Sequence, residues 1–213
     1  MLKTVVYLHG FLSSPASAKA RATAAAALGR GVACVVPDLN VEPLSVRPLI
    51  EQCFRGLDPA ETAVVGSSLG GFYALWAAER FGCRAVALNP AVSPWRVVGD
   101  YLGEQRIHGT GRTLVVRPEH AEMLRGMRAR PSDDPARLLA VLATGDEVLD
   151  WREADAMLAP GVAVRIAGGD HQLTGYGRAA GAVLDFCAGG DAEGARRAVR
   201  DALQAHAAGR QQV

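Results

Sequence analysis

Short apolar runs, most of them β-branched at the centre, recur along the chain, and the longer stretches between them carry apolar residues at helical spacing. The runs predict strands near 4–8, 32–36, 62–66, 85–88, 138–143 and 162–166, and the intervening patterns predict helices near 17–28, 45–55, 69–81, 151–158 and 175–187. A strand that is apolar at consecutive positions must be covered on both faces, which is the condition of a parallel sheet whose crossover helices lie above and below it. The fold class expected is therefore α/β, a mostly parallel sheet of about six strands with helices on both faces. Right-handed crossovers bring the strand C-termini to one edge, the edge at which open α/β sheets bind ligands.

The rhythm breaks over 91–137, where "GRTLVVRPEHAEMLRGMRAR" holds only a short strand and an amphipathic helix. An insertion of this length at the functional edge predicts a lid or binding loop. Beyond it, 190–213 reads as an extra C-terminal helix that docks one face and presents Arg and acidic residues on another. The whole chain of 213 residues is expected to form one domain with this inserted segment and this tail.

Composition removes several function classes. With 23 Lys+Arg against 22 Asp+Glu the net charge is +1, which supplies no field for nucleic acid or an anionic membrane. No apolar run approaches the ~20 residues of a spanning helix, so no membrane insertion is expected. Cys34, Cys53, Cys83 and Cys187 lack metal-ligand spacing and read as buried reduced thiols. "MLKTVVYL" enters a strand directly, without the layout of a leader, and together with the cysteines this points to the cytoplasm.

The candidate chemistry begins at Gly66-Ser67-Ser68-Leu69-Gly70, a Gly-x-Ser-x-Gly turn with Ser68 at its apex, preceded by strand-like "TAVV" and followed by helix-like "GFYALWAAERF". That is the strand-turn-helix setting of a nucleophile elbow, in which flanking glycines let neighbouring backbones approach. A serine hydroxyl needs a base, and the base needs a carboxylate to orient it. Of five histidines, His171 in "GGDHQLTG" follows the last predicted strand at the same edge; a histidine base must be neutral, so activity should fall below about pH 6.5. His9 reads as a loop-ordering residue, and His108, His120 and His206 fall in the insertion and tail. For the carboxylate, "GDEVLDW" offers Asp146, Glu147 and Asp150; Asp146 comes first after its strand, with Asp150 as its rival, while Asp170 reads as a loop stabiliser. Backbone N–H groups of Leu69 and Phe11, with Leu12 as neighbour to the latter, are the candidate oxyanion hole. No metal and no cofactor is called for.

"YLHGFLSSPASAKA", "GSSLGGFYA", "LNPAVSP", "DYLG", "TGDEVLDWREA" and "GGDHQLTGY" together resemble the YqiA-like esterases, small bacterial α/β-hydrolases, over Tyr7 to about Phe186. The resemblance implies a Ser68-Asp146-His171 triad hydrolysing small to medium acyl esters. Leu12 stands where a polar residue, often asparagine, is expected. Two other classes share these residues or this fold. An acyl thioesterase would use the same triad, with a basic rim of Arg112, Arg117, Arg125, Arg128 and Arg130 for a phosphate-bearing thiol carrier; a non-catalytic binding module would keep only the pocket. The expected partner is a small-molecule acyl ester, and oligomeric state has no signature in the sequence.

Overall fold

The computed structural model describes residues 1–210. Six parallel strands form the central sheet: β1 (Thr4–Leu8), β2 (Ala33–Val35), β3 (Thr62–Ser67), β4 (Arg84–Leu88), β7 (Leu138–Ala143) and β8 (Ala163–Ile166), in the order β2-β1-β3-β4-β7-β8. Every residue of β3 and β7 is buried. Their alternation divides the core: Val5, Tyr7, Val65 and Val141 pack beneath α1 (Ala18–Leu28), α6 (Tyr176–Ala188) and α7 (Ala192–Arg210). Val6, Leu8, Val64 and Leu142 face α2 (Pro43–Phe54), α3 (Leu69–Phe81) and α5 (Trp151–Met157). Side-chain period two along a strand covered on both faces accounts for the continuous apolar runs in the sequence.

The predicted strands and helices lie within a few residues of those observed. Edge strand β2 is the shortest, three residues against the five expected, because only one neighbour fixes its length. Helix α2 starts at Pro43, earlier than expected, since proline lacks the N–H that a first helical residue leaves unused. The segment 91–137 holds more order than its sequence shows. Besides the expected strand β6 (Thr113–Val116) and helix α4 (Glu119–Gly126), it carries β5 (Gly103–Arg106), which pairs antiparallel with β6. The expected tail helix is α7; residues 211–213 of that expectation lie outside the described residues. Cys83 and Cys187 are buried, whereas Cys34 and Cys53 are only half-buried, a correction to the uniformly buried thiols expected: Cys34 sits on the edge strand and Cys53 at the rim of α2. Among the described residues no helix is long and apolar enough to cross a membrane.

Candidate active site

Ser68 sits between β3 and α3 with φ 57° and ψ −121°, a conformation that side chains rarely adopt. Two glycines make the turn possible. A Cβ on Gly66 would lie 2.0 Å from the Gly70 carbonyl oxygen, and one on Gly70 would lie 2.0 Å from that of Leu8. The turn is thereby pressed onto the end of β1, and Gly10 of the following loop passes directly beside Ser68.

His171 occupies the loop between β8 and α6. Its Nδ1 lies 2.8 and 3.0 Å from the two carboxylate oxygens of Asp146, which follows β7. The ends of β7 and β8 are joined by Gly145 N–H donating to Gly168 O and by Gly168 N–H donating to Thr144 Oγ1. Asp146 Oδ1 also accepts from the N–H groups of Val148 and Leu149, both at 2.8 Å. Burial opposes charge on Asp146, but the hydrogen bonds from His171 and these two amides outweigh it and hold the carboxyl below its ordinary range. Asp150 is instead the N-cap of α5, accepting from Arg152 N–H, and Glu147 accepts from His171 N–H at 3.0 Å. Asp170 accepts from the N–H and hydroxyl of Thr174, inside the loop.

Ser68 and His171 line one cavity of about 1040 Å³, together with Phe11 and Leu69. Among the described residues no hydrogen bond joins Ser68 Oγ to His171; such bonds commonly close only around substrate. Leu69 N–H is the first of α3 and so has no partner within the helix, while Phe11 lies in the turn after β1. Among the described residues the non-glycine residues with positive φ are Leu12, Ser68, Asn89 and Leu173, and each follows a strand at this edge. The left-handed backbone at Leu12, φ 56°, is the physical reason asparagine suits that position.

His9 is buried; its Nε2 accepts from Leu39 N–H and its Nδ1 faces Gly10 O, each at 2.9 Å, so its proton is on Nδ1 and the ring ties two loops together. Burial lowers its pKa and keeps it neutral. Two positions take roles that the sequence did not assign them: Asn89 had none, and Glu147 stood only among the candidate carboxylates. Asn89 bridges β7 and the His171 loop, its Nδ2 donating to the carbonyls of Asp170 and His171 and its Oδ1 accepting from Ala143 N–H. Glu147 fixes the His171 amide. The asparagine in "LNPAVSP" was the only trace of the first.

The segment 91–137 roofs the cavity with Val98, Tyr101, Leu114, Val116, Met123 and Leu124. Three of the five arginines of the expected basic rim face carboxylates: Arg112 faces Asp38, Arg117 faces Glu42 and Arg125 faces Glu122. His108 and His120 lie in the cavity wall and His206 packs on Gly175. Among the described residues no group of three or more His, Cys, Asp or Glu is arranged to hold a metal ion.

The family described as "Uncharacterised protein family (UPF0227)" matches residues 4–188. Among solved structures the chain is similar to Est1E from Butyrivibrio proteoclasticus, at 16% identity over 94% of this chain and 86% of that one, with a TM-score of 0.57. It is similar also to mouse alpha/beta hydrolase domain-containing protein 10, at 17% identity over 86% of each chain and a TM-score of 0.61. A third is the esterase domain of a Rhodothermus marinus protein, at 17% identity over 94% and 88%, with a TM-score of 0.59. These likenesses show the α/β-hydrolase fold.

Proposed function

The chain belongs to the UPF0227 family, the YqiA-like proteins, and from this premise and the geometry of its site we propose that it is a serine esterase acting on small to medium acyl esters. The observation that carries this reading is a serine in a strained strand-to-helix turn sharing one cavity wall with a histidine held by a buried carboxylate. Ser68 Oγ would attack the ester carbonyl carbon as its proton passes to His171 Nε2. Asp146 would hold the imidazole with its other proton on Nδ1 and stabilise the imidazolium. The N–H groups of Phe11 and Leu69 would bind the oxyanion, the latter with the help of the α3 dipole. His171 would return the proton to the departing alcohol, and a water activated by the same imidazole would release the acid and free Ser68.

The apolar roof suits an acyl chain, and the cavity volume stands at the upper end of the range for small-molecule sites. The ester reading is preferred to a thioesterase because Arg112, Arg117 and Arg125 already face carboxylates, which leaves less of the basic rim that a phosphate-bearing carrier would need. Incubation with a fluorophosphonate probe and with a series of p-nitrophenyl esters tests the proposal. The wild-type protein should be labelled and should turn over esters, and Ser68→Ala should lose labelling and at least about 10⁴-fold in kcat. A folded wild-type protein inert to both would leave the binding-module reading in its place.

A further inference from the structure

Lys19 is the second residue of α1, lies in the wall of the same cavity and is only 9% exposed. A lysine is almost never buried to this degree without a counter-charge, because taking an ammonium out of water is costly. For Lys19 the negative charges of Asp170 and Asp146 favour the ammonium. Its Nζ donates to the Gln172 carbonyl at 2.7 Å and reaches Gln172 Oε1 at 3.4 Å, across 153 residues of sequence. Gln172 is the residue after His171. Asn89 holds the carbonyls of Asp170 and His171 from the β4 side, so the two side chains grip the histidine loop from opposite sides. Directly after Gln172, Leu173 has φ 48°, a conformation that persists only where its surroundings impose it.

We propose that Lys19 is a positioning residue for the reaction at Ser68: its buried ammonium, bonded to the Gln172 carbonyl, fixes the loop that carries His171 against the α1 wall of the cavity. The inference rests on the esterase reading for its consequence in rate, but not for the tether itself. Burial pushes the Lys19 pKa down to about 8, against the opposing influence of Asp170 and Asp146, the charged groups facing it from the two loops. Between about 8 and the ordinary lysine value the unfolded chain binds the proton that the folded chain does not, so stability rises with pH there and the charged form is a burden on the fold at neutral pH. A cation retained at that cost serves the site more than the core.

The test compares Lys19→Met with Lys19→Arg and the wild type on a short p-nitrophenyl ester, alongside Tm and hydrogen–deuterium exchange of peptides covering 168–175. In Lys19→Met we expect kcat to fall about 10- to 100-fold, as misplacing a catalytic group by about an ångström does. KM should stay within about threefold, Tm should be unchanged or higher, and exchange should quicken in 168–175 alone. Lys19→Arg, which keeps charge and donors, should retain most of the rate. Unchanged kcat and exchange in Lys19→Met would overturn the proposal, as would a joint fall of kcat and Tm with faster exchange throughout the chain. Lys19→Gln, neutral but able to donate to Gln172, is the second neutral variant; failure of both to fold would also count against it, since neutrality is expected to relieve the fold. If Lys19→Met loosens 168–175 while the wild-type protein neither hydrolyses esters nor takes the probe, the tether stands and the esterase reading falls.

Discussion

A carboxylate beside a histidine can be a structural pair or part of a proton path, and Asp146→Asn separates the two. Asp146 Oδ1 accepts from two backbone amides, so an asparagine would keep its oxygen there and turn its NH₂ toward His171. The imidazole would then have to accept at Nδ1 and carry its proton on Nε2, the atom that takes the proton of Ser68 in the proposed reaction. With the loop geometry kept by the same two amides, we expect kcat to fall by about 10⁴-fold with little change in KM or in Tm near neutral pH. Near-wild-type kcat in a folded Asp146→Asn would reduce Asp146 to a structural role. The depressed pKa of Asp146 says where its ionised form matters for stability: its contribution is present above the ordinary aspartate value and is lost only as pH falls below that value, through the lower folded one.

Helix α7 begins at Ala192, past the end of the family match at residue 188, and it touches the sheet at both ends of the strands. The buried Arg196 donates to the carbonyls of Val162, Pro135 and Leu138, all at the strand starts, far from the site. Gln204 donates to Ala167 O at 3.1 Å and accepts from Ala167 N–H at 2.8 Å, where β8 gives way to the His171 loop. One helix thus has a bond set for stability and another for the site. Arg196→Met should lower stability by about 2 kcal/mol, or 4–8 °C in Tm, because it strands buried carbonyls, and should leave kcat within about twofold. Gln204→Ala should do the reverse, lowering kcat several-fold with a Tm loss of no more than about 3 °C, since its bonds are solvent-exposed. Equal losses of both quantities in both variants would show α7 to be a uniform brace. The sequence makes α7 legible as a helix from its charge spacing, but not where it docks. The same limit runs through the site. The candidate residues Ser68, Asp146 and His171 can be read because each lies in the loop that a strand runs into, and a strand announces itself locally by its apolar run. Lys19, Asn89 and Glu147 cannot, because what gives them meaning is a partner 153, 82 or 24 residues away. Strand β5, Gly-Glu-Gln-Arg, is exposed over most of its length and carries no apolar alternation; only its pairing with β6 makes it a strand.

At the scale of the molecule, the esterase reading has the sheet edge supply the reacting groups and gives the segment 91–137, which roofs the cavity, the setting of substrate size. Beside its buried core contacts, polar and aromatic contacts tie that segment to the loops around the site. His108 N–H donates to Leu12 O at 2.8 Å, Tyr101 packs edge-on against Phe11 at 5.3 Å, and Arg112 spans to Asp38 at 2.6 Å and to Asn40 O at 3.4 Å. Burial raises the Asp38 pKa, but Arg112 and the amides of Asn40 overcome this and hold the carboxyl below its usual range, so the ion pair survives mild acid and breaks only as pH falls beneath that range. Because both partners are substantially exposed, the pair is a weak fastening, of a size that shifts an equilibrium between closed and open roofs by about two- to fivefold. Arg112→Ala should therefore raise KM two- to fivefold for octanoyl esters, whose chains are long enough to reach the roof residues Leu114, Val116 and Leu124, and leave acetyl esters unchanged. Added salt should bring wild-type KM toward that of the variant, since exposed charges are screened within about 10 Å at 0.1 M. If Arg112→Ala changes both esters alike, or neither, the roof does not act as a chain-length filter and substrate size must be set by the rigid floor of the cavity around Ser68.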